Sequence, residues 1–146
     1  MSRVFVSGGT GAAVYVFAHD HCPPHVHARH MGEGWIARVG FSYLGGKIDL
    51  LGIASAKKAP LQRVMNQLLD DVHGRLSACR QTWWSTMAVT CLENQWVSVL
   101  PNGAIEVISK SRAKTKQIAF ATYDPAAERL TVAFKDGTKT EMEIGT

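Results

Sequence analysis

The sequence predicts an α+β fold: antiparallel β-sheets with one long amphipathic helix at about residues 60–84, in two small, closely packed halves. Three observations predict it. Short runs rich in Val, Phe, Tyr and Ile alternate with polar residues and are bounded by Gly- or Pro-bearing turns, the pattern of half-buried strands. One stretch in the middle changes to helical spacing. After about residue 94 the period of two returns.

Residues 3–6 and 12–18 are candidate strands, and SGGTG (7–11) between them supplies glycines for a hairpin turn. Pro23 and Pro24 cannot sit inside a paired central strand, so they mark a turn or an edge. HVHARH (25–30) can be extended after them. WIARVGF (35–41) and KIDLLGI (47–53) are two more strands, linked around Gly45 and Gly46. Leu61, Val64, Met65, Leu68, Leu69, Val72, Leu76, Cys79 and Trp83 then form one apolar stripe at helical spacing. Pro60 suits the first helical turn, where a missing N–H costs nothing. Gly74 is the weak point, at about 1 kcal/mol relative to Ala. WVSVLPNGAIEVIS (96–109) reads as a hairpin turning at 101–103. IAFATY (118–123), RLTVAFK (129–135) and TKTEMEI (138–144) are three further strands. Asp136-Gly137 is the pair favoured in a two-residue hairpin turn. The expected division is a His-rich sheet-and-helix domain over 1–92 and a small antiparallel domain over 93–146.

At 146 residues the chain suits one domain or two very small ones. No apolar run approaches the roughly 20 residues a membrane span needs. The N-terminus reads as strands and a turn rather than a signal peptide. A cytoplasmic location with no membrane partner is the expectation. Cys22, Cys79 and Cys91 are widely spaced with no C-x-x-C pair, so reduced thiols are expected rather than a disulfide framework. The formal charge of +4 permits an anionic partner without demanding one.

Five of the six histidines fall in HDHCPPHVHARH, residues 19–30. Three readings compete. As a metal site, His21, Cys22, His25 and His27 would supply enough imidazole and thiolate for zinc or another transition metal, although the spacing matches no standard zinc motif. Residues two apart on an extended segment share a face, which places His25 with His27. As an acid–base site, two histidines would act as general acid and base, with Arg29 or Lys47 stabilising negative charge on a phosphate. As a structural or binding turn, the prolines set the backbone and the imidazoles pin it.

The segment His21-Cys22-Pro23-Pro24-His25-Val26-His27 resembles the H-x-P-P-H-x-H signature of a bacterial domain family of unknown function. The order of elements matches that family over about residues 3–90: an aromatic-rich strand (Val14 to Phe17), the signature, a strand (Trp35 to Phe41), then an amphipathic helix. Cys22 stands where the family commonly has a polar residue. RLTVAFKDGTKTEMEI is similar to a second small bacterial family, through Leu130, Val132, Phe134, Asp136 and Gly137. Genes for the two families are often neighbours in operons that look like toxin–antitoxin modules. The resemblance implies a small regulatory or defence-related protein and carries over no catalytic residue.

Two other features bear on binding. SKSRAKTK (109–116) alternates Lys110, Arg112, Lys114 and Lys116, which in a strand would line one face and meet phosphates, or in a loop would simply be solvated. Trp83 belongs to the helical stripe, whereas Trp84 falls off it and is a candidate interface residue. The favoured expectation is a non-enzymatic binding or regulatory protein of toxin–antitoxin or phage-defence type. It would dock a protein partner, or a nucleic acid, through the His-rich turn, the basic run of Lys110, Arg112, Lys114 and Lys116, and exposed aromatics such as Trp84. The alternative is a small metal-dependent or His-based hydrolase, ribonuclease-like, using His25, His27 and Arg29.

Overall fold

The computed structural model describes residues 1–55, 57–102, 104–108 and 115–145. Backbone packing groups the chain into two units, one of Met1–Ser42 with Gly46–Ala88 and one of Tyr43–Gly45 with Val89–Thr146.

In the first unit, alternation of apolar and polar residues produces five strands: β1 (Ser2–Val6), β2 (Ala13–Val16), β3 (His25–His30), β4 (Trp35–Gly40) and β5 (Asp49–Ser55). They form an antiparallel sheet in sequence order. Because side chains alternate along each strand, Val14, Val16, Val26, Ala28, Ala37 and Val39 point to one face and are fully buried. The SGGTG turn closes β1 onto β2 through Ser7 and Ala12, with Gly11 at φ +79 where a side chain would be strained.

The predicted stripe packs on that buried face, but not as one helix. Two helices follow each other, α1 (Gln62–Gly74) and α2 (Leu76–Met87). Arg75 leaves helical geometry at φ −120, ψ 27, and its amide turns back to Val72 and His73. The break falls where the sequence is weakest, since glycine gives up the most backbone entropy on entering a helix. Met65, Leu68, Val72, Leu76, Cys79 and Trp83 of the stripe are buried. Leu61 is exposed and serves as the N-cap of α1, so Pro60 lies ahead of the first turn rather than in it. α2 lies against β1, β2 and β3. Among the described residues no helix is long and apolar enough to cross a membrane.

The second unit is a five-stranded antiparallel sheet of β6 (Trp96–Val99), β7 (Ile105–Ile108), β8 (Thr115–Asp124), β9 (Arg129–Phe134) and β10 (Lys139–Glu143). Its order is β10-β9-β8-β6-β7. Val97, Ile118, Ala121, Tyr123, Leu130, Val132 and Phe134 build its core. The β9–β10 turn has three residues rather than two. The Phe134 amide donates to the Thr138 carbonyl, and Gly137 takes φ +88. Asp136 accepts from the Thr138 amide and hydroxyl, which favours the longer loop.

Candidate metal centre

The loop between β2 and β3 carries the histidine signature, and Asp20 shapes it. The Asp20 amide donates to the Phe17 carbonyl (3.1 Å), and the Phe17 amide donates back to Asp20 Oδ2 (2.9 Å). One carboxylate oxygen is thereby committed to backbone. The other, Oδ1, lies 3.0 Å from His27 Nε2 and 3.4 Å from His25 Nε2. The Cys22–Pro23 peptide bond is cis, and the Pro24 carbonyl accepts from the Phe41 amide beyond β4. The loop thus ends with His25 as the first residue of β3, buried to 3% exposure.

The protonation of His25 follows from its neighbours. Its Nδ1 lies 2.8 Å from the Pro23 carbonyl oxygen. A carbonyl only accepts, so the proton sits on Nδ1. In the neutral ring Nε2 then carries the lone pair, 3.4 Å from Asp20 Oδ1. Oδ1 meets the His27 imidazole at hydrogen-bond distance (3.0 Å), so an acceptor nitrogen of His25 and a carboxylate oxygen stand together beside a second imidazole, a grouping that a cation would join. Fixing one imidazole nitrogen on a backbone carbonyl, with the other turned inward, is the usual second shell of a metal-bound histidine.

The donor atoms are close enough for one ion to reach after small side-chain shifts. Metal–ligand bonds of about 2.0–2.1 Å in a tetrahedral set place donor atoms about 3.3–3.4 Å apart. The donor atoms of Asp20, His25 and His27 all lie within 4.8 Å of one another. Aromatic walls surround them. The Trp83 ring of α2 is 5.5 Å from that of His25, and Phe17 meets the His27 ring edge-on at 4.4 Å. His27 is 16% exposed and opens the cluster to solvent.

Of His21, Cys22, His25 and His27, the structure brings two together. His25 and His27 converge. His21 is exposed, with its ring 6.0 Å from that of His25, and stands outside the converging group. Cys22 is a correction: it is disulfide-bonded, as is Cys91, so it has no thiolate to offer a metal, and the expectation of three reduced thiols fails. Cys79 is the free cysteine, buried in α2, and burial pushes its thiol up to about 12 despite the adjacent Arg80. Arg29 is exposed on β3, and Lys47 lies in an exposed ion pair with Asp49 (3.8 Å). His30 stacks on Trp35 and accepts from the Glu33 amide, which explains it as a pin for the β3–β4 turn.

Of the basic run, Lys110, Arg112 and Lys114 lie outside the described residues. Lys116 falls in β8, where it pairs with Asp136 (3.3 Å), donates to Thr138 (2.9 Å) and covers the Phe134 ring. Trp84 is half-buried in α2 rather than exposed. Asp20 is the residue that sequence reasoning missed. The signal was present, as the one acid inside the histidine run, five residues before His25 and seven before His27. No protein-family model, curated protein or solved structure matches the chain.

Proposed function

We propose that this chain holds a divalent transition metal, zinc or a first-row neighbour, on Asp20, His25 and His27, and that it works as a small metal-dependent hydrolase. One observation carries the reading: with His25 Nδ1 engaged by the Pro23 carbonyl, its Nε2 lies 3.4 Å from the Asp20 carboxylate oxygen that also meets His27, and the three donor atoms lie within 4.8 Å of one another. Two imidazoles and one carboxylate are a donor set that zinc and ferrous iron both use. Three protein donors leave a coordination position for water, which such an ion would make acidic enough to attack an ester near neutral pH. The binding and regulatory reading draws on the basic run and Trp84 beside the same His-rich turn. Lys116 is already engaged within its own sheet and Trp84 is half-buried, so support concentrates on the histidine loop.

The test is elemental analysis of untagged protein prepared without chelator or metal resin, followed by zinc, manganese and iron titration of stripped protein. Near-stoichiometric metal is expected, and it should be lost in His25→Ala/His27→Ala with the circular dichroism spectrum kept. Stripped metal should also abolish turnover of an activated phosphodiester. Folded protein that takes up none of the three ions would overturn the reading.

A further inference from the structure

The sheet face that His27 shares is cationic and aromatic. Strand register aligns Arg3 with Tyr15, Tyr15 with His27, His27 with Arg38 and Arg38 with Gly52. Directly paired residues lie on the same face, so this is one row across all five strands. The next row runs Ala13, Arg29, Ile36, Ala54. This is the face opposite the buried valines, and Arg3, Arg29 and Arg38 are all exposed on it. None of the three has an ion pair with a carboxylate among the described residues. A shallow cavity of about 220 Å³ lies on this face, lined by His27, Ile36, Arg38, Gly52, Ile53 and Ala54. Gly52 keeps its floor open, since a Cβ there would stand 3.1 Å from the Arg38 guanidinium and push that side chain aside. Tyr15 and Phe17, two residues apart on the same side, present rings stacked 6.5 Å apart at 25°.

We propose that this face binds single-stranded nucleic acid. Backbone phosphates sit on Arg3, Arg29 and Arg38, and a base stacks on Tyr15 and Phe17. The phosphodiester nearest Arg38 lies beside His27. Three unpaired guanidiniums on one face match a repeating anion. Half-exposed rings between them match unstacked bases, which a duplex keeps inside its helix and an acidic peptide lacks. The assignment rests on the metal-centre reading for which bond would be cleaved, but the binding itself needs only the face.

Fluorescence anisotropy of a short labelled oligouridine against the full chain, stripped of metal, tests it. Affinity should fall with salt at a log–log slope of about −2, from three phosphate contacts at roughly 0.7 each on a single strand. Arg3→Gln/Arg29→Gln/Arg38→Gln should remove most of that slope, and Tyr15→Leu should weaken binding about tenfold at unchanged slope. Oligothymidine in parallel separates RNA from DNA, and binding to either supports the face. No binding at low salt overturns the proposal. So does binding that the triple variant keeps, or a duplex that binds as well. Metal content read on the same preparations keeps the two readings apart: metal without oligonucleotide sinks only this one, and oligonucleotide without metal sinks only the centre.

Discussion

Asp20 does two things with two oxygens. Oδ2 closes the loop on Phe17, and Oδ1 faces two imidazoles. Asp20→Asn separates these roles, since the amide oxygen can still accept from Phe17 while the charge is lost. The variant should keep its fold and lose stoichiometric zinc, as read by elemental analysis and circular dichroism. Asp71 gives a second residue-scale prediction. Burial pushes its carboxyl up, but the Ser7 hydroxyl, the Gly9 amide and Gln67 outweigh burial, so it ends below its ordinary 3.8. A lowered folded value contributes stability above 3.8, and that stability is lost as pH falls through the folded value. Asp71→Ala should cost about 1 kcal/mol at neutral pH, from the hydrogen bonds it removes from buried Ser7 and from Gly9. In urea titrations the gap between wild type and variant should close in acid. A gap that stays constant with pH would assign the effect to packing. His25 and His27 were legible in the sequence because an extended segment puts them on one face. Asp20 was not, because its approach depends on how the loop turns back, which no spacing rule encodes.

At the scale of elements, strands were more legible than breaks. The valines of β2 and β3 alternate cleanly, so burial alone specifies their faces. Six of the nine residues in the stripe over 60–84 are buried, since periodicity reports which side meets the core, although Leu61 at its start is exposed. The stripe did not report the interruption, because the apolar spacing continues through Leu76, Cys79 and Trp83 beyond the break at Arg75. Gly74 tests this account. A Cβ there would meet nothing within 4 Å, and its φ is not positive. Gly74→Ala should therefore stabilise the chain by about 0.4–1 kcal/mol, mostly by narrowing the unfolded ensemble. Urea unfolding reads it. Destabilisation would mean that the break at Arg75 requires glycine rather than merely tolerating it.

For the whole molecule, the cysteines decide more than their number suggests. Wide spacing and the lack of a C-x-x-C pair led to an expectation of reduced thiols, because sequence separation carries no information on which distant residues meet. The structure has Cys22 and Cys91 disulfide-bonded and Cys79 free. Disulfides persist in oxidising surroundings, so the thiol state bears on where this chain works as well as on its metal chemistry. A buried thiol held near 12 carries almost no thiolate at neutral pH and should not react in the native fold. Thiol titration of protein kept free of reductant should find no fast-reacting group in the native state. It should find one after denaturation and three after denaturation with reductant. Three thiols in denaturant alone would show that the chain is made reduced. Cys22 would then return to the set of candidate metal donors, one residue beyond His21 and three before His25, and the count of protein ligands around Asp20 would have to be reopened.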